Sequence, residues 1–94
     1  MDVYRAIADP TRRAILDELS MRQGQTLFEL CSRLIMKHEI SSSRQAISQH
    51  LEILEAAGLV RSRKEGRSKL HWFEAKPLQA ISKRWPDQPK EKKR

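Results

Sequence analysis

Arg44, Gln45, Ser48 and Gln49 are the side chains in this 94-residue sequence whose chemistry and spacing point to one task. Arg reads guanine O6 and N7, Gln reads adenine N6 and N7, and Ser serves either, so the set suits base edges in a DNA major groove. At roughly 100° per residue on a helix the four fall on one arc, with Glu52 and Glu55 further along it. Ala46, Ile47, His50, Leu51, Ile53, Leu54 and Ala57 fall on the opposite arc. Because Glu52 and Glu55 would repel phosphate, only the N-terminal half of the polar face is fit to approach DNA. An ordinary amphipathic surface helix has the same two faces, so the flanking sequence must separate the two readings.

The element that positions these side chains is a helix over residues 42–57. Ser42 with Gln45 fits a capping box at its start, and Gly58 supplies a left-handed stop, after which Leu59 folds back on the helix. Leu59 to Lys64 and Ser68 to Glu74 then read as two short strands around Glu65-Gly66-Arg67, with Gly66 available for a turn position at positive φ. Arg61, Arg63, Lys64, Arg67 and Lys69 make this hairpin basic. A charge run is usually only a solvated face, but this one directly follows the candidate reading helix. Arg63, Lys64, Arg67 and Lys69 are therefore expected on the DNA backbone, with Ser43 on phosphate at the helix start.

Ser43-Arg44-Gln45-Ala46-Ile47-Ser48-Gln49-His50-Leu51, then Leu54-Glu55-Ala56-Ala57-Gly58-Leu59-Val60, then Glu65-Gly66-Arg67, resembles the recognition helix and wing of the ArsR (arsenical-resistance-repressor-like) winged helix-turn-helix regulators. Ala8-Asp9-Pro10-Thr11-Arg12-Arg13-Ala14-Ile15-Leu16 is similar to that family's second helix, so the resemblance spans residues 2 to about 85. It implies a mainly α fold with a small β-hairpin wing: four helices, two strands and a last helix. It also implies a homodimer paired through the first and last helices, here Val3, Tyr4 and Ile7 with Leu78, Ile81 and Trp85. Metal sensors of the family often carry a Cys-x-Cys pair on the third helix, where this chain has Thr26 and Phe28. Others bind zinc through acidic and His residues on the last helix, and Leu78 to Trp85 contains neither. No metal and no cofactor are expected.

Bulk properties agree with a small nucleic-acid-binding domain. Nineteen Lys and Arg against 12 Asp and Glu give a formal charge of +7, which favours a polyanionic partner. No long apolar run or signal-peptide pattern is present, so a membrane is not expected and a cytoplasmic location is. Residues 1–85 read as one domain, marginal enough in core size for dimerisation to support it. Residues 86–94, all Pro, Gln and charge, read as a disordered basic tail.

Residues 2–8 suggest a short helix, and Asp9 caps a second one with Pro10 at its first position and Ala14, Ile15, Leu16 and Leu19 buried. Arg12 and Arg13 are expected to be solvated, with a phosphate contact as the alternative. Thr26 with Glu29 forms a capping box for a third helix carrying Leu27, Leu30, Cys31, Leu34 and Ile35 on its apolar stripe. Cys31 is expected to be a buried small hydrophobe, with a redox or sensing thiol as the alternative. The only cysteine, it excludes an intramolecular disulfide. His38 is expected in a solvent-exposed loop spanning 36–41, and His50 to be a partly buried, hydrogen-bonded structural histidine. Leu70 and Trp72 alternate with His71 and Phe73, and either pair suits the inner face of the wing.

The function these observations imply is a sequence-specific double-stranded DNA-binding repressor that meets a palindromic operator as a homodimer. No nucleophile and base sit at a recognisable spacing, so no catalytic residue is expected. Two alternatives stand beside it: a winged-helix interaction module docking an acidic partner, and a thiol sensor using Cys31.

Overall fold

The computed structural model describes residues 2–87. Its elements are α1 (Val3–Ala6), α2 (Pro10–Met21), α3 (Leu27–His38), α4 (Arg44–Ala56), β1 (Val60–Glu65), β2 (Ser68–Phe73) and α5 (Lys76–Arg84). The fold class and element order are those expected, and the tail beyond Asp87 lies outside the described residues.

Helix starts are set by local chemistry. Asp9 accepts the Arg12 N–H at 3.0 Å and Pro10 occupies the first turn of α2. At α3 the capping box is complete, with Glu29 N–H donating to Thr26 Oγ1 at 3.2 Å and Thr26 N–H to Glu29 Oε1 at 2.9 Å. The expected Ser42–Gln45 box at α4 does not form. Ser43 is the cap, accepting the Ala46 N–H at 3.1 Å, which puts Gln45 in the second helical position, too early to reach back. At the far end of α4, Gly58 takes φ +78° and the Leu59 N–H donates to Leu54 O at 2.9 Å, so the chain reverses directly into the wing.

The core gathers one face of each of the three longer helices before the wing: Ala14, Ile15, Leu16 and Leu19 from α2, Leu30 and Leu34 from α3, Ile47, Leu51 and Leu54 from α4, with Ala6, Leu59 and Val60 closing its ends. Ile35 is the exception on the α3 stripe. It is 54% exposed because the packed face centres on Leu30 and Leu34, and Ile35 sits at its margin. Cys31 is only half-buried for the same reason.

β1 and β2 are antiparallel, with Val60 opposite Phe73 and Glu65 opposite Ser68, joined through Gly66-Arg67 with Gly66 at φ +59°. A two-stranded hairpin is marginal by itself and must be held by neighbours. Here His71 and Phe73 face inward. The His71 N–H and its Nδ1–H both donate to Gln25 O, each at 2.9 Å, and Gly24 N–H returns a bond to His71 O at 2.8 Å. Buried Gln25 spreads the connection: its Nε2 donates to Arg22 O at 2.8 Å and Glu18 O at 3.2 Å, and its Oε1 accepts from Arg33 at 2.6 Å. Leu70 and Trp72 lie on the outer face, Trp72 over Gly24.

Two polar expectations need correction. His38 is the last residue of α3 rather than a free loop residue, and its Nε2 lies 3.2 Å from Oε2 of Glu18, which is 2% exposed on α2. The connector is consequently 39–43, beginning at Glu39 with φ 57°. Arg12 and Arg13 are not simply solvated: they bond the carbonyls at the end of α1, Arg12 to Ala6 O at 2.7 Å and Arg13 to Ile7 O at 2.8 Å. Arg12 also reaches Arg5 O and Arg13 also reaches Ala8 O, because carbonyls at the C-terminal end of so short a helix attract the nearest guanidinium groups.

Replacing Gln25 with Ala leaves Arg22 O and the Arg33 guanidinium without this partner and Glu18 O with the Arg22 N–H alone, so urea denaturation should show a loss of about 2–3 kcal/mol. A second expectation concerns acid. Hydrogen bonds from Thr26, chiefly its backbone N–H, hold the Glu29 carboxyl below the usual range. A carboxyl lowered by folding stabilises the fold above its unfolded-state value, and that contribution fades as pH drops through the folded value. Glu29→Gln keeps an acceptor for the Thr26 N–H, so melting temperature should change little near neutrality but fall less steeply than wild type between about pH 5 and pH 3.

Candidate nucleic-acid interface

The polar arc of α4 lies on an open concave surface. Arg44, Gln45, Ser48, Gln49 and Glu52 line one hollow with Leu27 of α3. An adjoining hollow is lined by Thr26, Leu27, Phe28, Arg44, Arg67, Ser68 and Lys69, so Arg44 joins the polar face of α4 to the tip of the wing. Leu27 also floors a third hollow, where Ser48, Glu52 and Glu55 face Lys69 and His71. Elements distant in sequence therefore share one surface: the start of α3, the first half of α4 and the turn of the hairpin.

Side chains on that surface are free to act. Arg44, Gln45 and Gln49 are exposed and Ser48 is half-buried. Ser43 spends an oxygen lone pair on the cap of α4, and its hydroxyl proton remains available to an outside acceptor. Glu55 in the second half of the helix is occupied by the Ser62 hydroxyl, at 2.9 Å.

The electrostatics separate the wing cations into two groups. Lys64 stands directly opposite Lys69 in the ladder, on the inner face shared with His71. Like charges placed so are mutually destabilising unless an anion lies near them. Among the described residues, Arg44, Lys64, Arg67 and Lys69 have no carboxylate partner. Arg63 is different. It pairs with Glu65 at 2.7 Å and lies over the Trp72 ring at 5.1 Å, on the outer face beside Arg61. Strand alternation carries this distinction between Arg63 and Lys64; a count of basic residues does not. Thr26 and Phe28, which line the same hollow as Arg67, were marked in the sequence only by the capping box and the resemblance.

His50 and Cys31 lie off this surface. His50 is half-buried with Nδ1 3.2 Å from an Arg12 nitrogen, the hydrogen-bonded structural role expected. Burial pushes the Cys31 thiol up, only partly offset by the charge of Arg44, which works against a reactive thiolate. Among the described residues no three His, Cys, Asp or Glu side chains gather as metal ligands. No described helix is long and apolar enough to cross a membrane.

The residues expected at a two-fold interface fall into two sets. Val3, Ile7 and Leu78 pack against the core, and Ile7 and Leu78 line one hollow with Leu16 and Phe73. Tyr4 and Trp85 are exposed, at 45% and 62%, and α5 buries none of its residues.

Known proteins share this arrangement. A family model described as "Helix-turn-helix domain" matches residues 7–63. The uncharacterized HTH-type transcriptional regulator YuzN of Bacillus subtilis (strain 168) is 48% identical over 83 residues, covering 88% of this chain and 90% of its own. Among solved structures, an ArsR-like transcriptional regulator from Rhodococcus sp. RHA1 superposes with a TM-score of 0.75 at 36% identity, over 87% of this chain and 69% of that one. The crystal structure of a possible transcriptional regulator for arsenical resistance gives a TM-score of 0.73 at 33% identity, over 93% and 88%. With two signature stretches, the wing and the relatives all in agreement, the chain belongs to the ArsR-type winged helix-turn-helix transcriptional regulators, DNA-binding proteins rather than enzymes.

Proposed function

We propose that this regulator is a sequence-specific repressor that binds double-stranded DNA in the cytoplasm as a homodimer, on a palindromic operator. The observation that carries the reading is the pairing on one concave surface of amide and guanidinium tips (Arg44, Gln45, Gln49) with cations that lack carboxylate partners (Lys64, Arg67, Lys69). Arg44, Gln45, Ser48 and Gln49 touch base edges, while Ser43 and the inner wing cations hold phosphate. Arg63, committed to Glu65 and Trp72, contributes less to the backbone than its neighbours. Repression requires only that occupancy exclude polymerase from the site.

The homodimer is supported by the apolar residues that α1 and α5 leave exposed, Tyr4 and Trp85, with Ile81 of α5 half-buried. A two-fold axis there sets two copies of α4 about 34–36 Å apart, one DNA turn, for successive major grooves.

Gln45→Ala should relax preference at one base position per half-site, costing about 1–3 kcal/mol on the preferred sequence and little on variants at that position. A titration of single-base operator variants checks it, and equal losses across all variants would contradict the assignment. Lys69→Ala should weaken every sequence alike and reduce the salt slope by roughly one, with Arg63→Ala reducing it by less. For the assembly, sedimentation equilibrium should show a dimer at micromolar concentration, and Ile81→Glu should raise its dissociation constant at least about tenfold, since it buries a charge in an apolar contact. A monomeric wild-type chain removes the palindrome.

A further inference from the structure

The Arg12 guanidinium, carried on α2, touches two other helices at once. Its Nε donates to Ala6 O at 2.7 Å and one terminal nitrogen to Arg5 O at 3.2 Å, both at the end of α1. The other terminal nitrogen lies 3.2 Å from Nδ1 of His50, in the middle of α4. A guanidinium only donates, so Nδ1 is the acceptor and the ring proton sits on Nε2. The base of this arm is fixed as well, since Asp9 accepts the Arg12 backbone N–H at 3.0 Å.

We propose that Arg12 is a positioning residue for base reading: through His50 it sets the roll of α4 about its own axis relative to α1 and α2. This rests on α4 being the DNA-reading helix. The apolar contacts of Ile47, Leu51 and Leu54 hold the depth of α4 against the core, but they are non-directional and resist rotation weakly. A hydrogen bond to His50 is directional, and it comes from the face opposite Gln45 and Gln49. With side chains extending about 5–6 Å from a helix axis, a roll of roughly 10° moves a Gln tip by about 1 Å, enough to break a bidentate contact with a base. Neither Arg12 nor His50 lines the reading groove, so the effect on specificity is indirect.

Three variants separate positioning from simple loss of stability. Arg12→Lys keeps the charge but cannot reach both α1 and His50. His50→Leu removes the acceptor. His50→Asn places an amide oxygen where Nδ1 stood and so keeps it. Titrating each folded variant against the duplex selected by wild type, and against its single-base variants, should show discrimination falling about tenfold at every read position for Arg12→Lys and His50→Leu. His50→Asn should stay within about twofold of wild type. The salt slope should not move, because no phosphate contact is lost. In the free protein, hydrogen exchange at α4 amides should accelerate in the first two variants and not in the third.

An Arg12→Lys profile that matches wild type, or α4 exchange unchanged in both Arg12→Lys and His50→Leu, overturns the proposal. A wild-type chain that selects no duplex at all sinks the DNA-reading role and this proposal with it; accelerated exchange in those variants would then show that the contact holds α4 for some other purpose.

Discussion

The wing depends on the junction between Gln25 and His71. β1 is charged at four of its six positions, and of the hairpin only Val60 and Phe73, at the end away from the turn, reach the core, so the turn end cannot hold its own position. What fixes it is a short polar clasp in which His71 donates twice to Gln25 O while the Gln25 side chain is itself gripped by α2 and by Arg33 of α3. The clasp is rigid because every arm is paired and wholly or partly buried, which makes each bond stronger than at the surface and a missing partner expensive. Through it the position of Arg67 and Lys69 relative to α4 becomes a property of the helical core rather than of the hairpin.

From that constraint the charge pattern follows. Once the wing is set against the start of α3, its inner face must carry Lys64 and Lys69 side by side, with Arg67 at the turn and Arg44 across the hollow. A folded monomer gains nothing from this gathering of like charge, whereas a polyanion lying across it gains at every cation and releases its counterions. The outer face of the same hairpin shows the opposite solution: Arg61 pairs with Glu74 at 3.5 Å, Arg63 with Glu65, and both lie over Trp72. One strand pair thus carries neutralised arginines on one side and unneutralised cations on the other.

Much of this was legible in the sequence, and what was legible shares a cause. Asp9-Pro10, Thr26 with Glu29, Gly58 and Gly66 act within four residues of themselves, so their effect is written locally. The polar arc of α4 is also local, because helical period alone sorts Gln45 and Gln49 from Ile47 and Leu51. The contacts that went unread join residues far apart: Arg12 to His50 across 38 positions, His71 to Gln25 across 46, His38 to Glu18 across 20. Periodicity places Glu18 on the same side of α2 as Ile15 and Leu19, but nothing nearby indicates which cation meets it. The Ser42 cap failed for a smaller reason, since three consecutive serines offer competing starts and the Ser43 hydroxyl won the bond to Ala46.

These long-range polar contacts share a job that the apolar core cannot perform. A core of Leu, Ile and Ala supplies most of the driving force, yet apolar burial is non-directional and does not alone single out one helix orientation. A helix face that is to make directional hydrogen bonds needs more definition than that. Glu18 shows what is given up for the extra definition: its carboxylate is buried, Oε2 is met by His38 at 3.2 Å and Lys37 at 3.5 Å, and Oε1 has no partner among the described residues. Desolvating such a group is costly, and an apolar residue of similar volume would as a rule be at least as stable. What an apolar residue could not do is hold the last turn of α3 at one angle to α2, and that turn is where the connector to α4 begins. Stability is thus traded for a defined path into α4, a trade that is worthwhile only if the placement of α4 matters more to the protein than another kilocalorie of folding free energy.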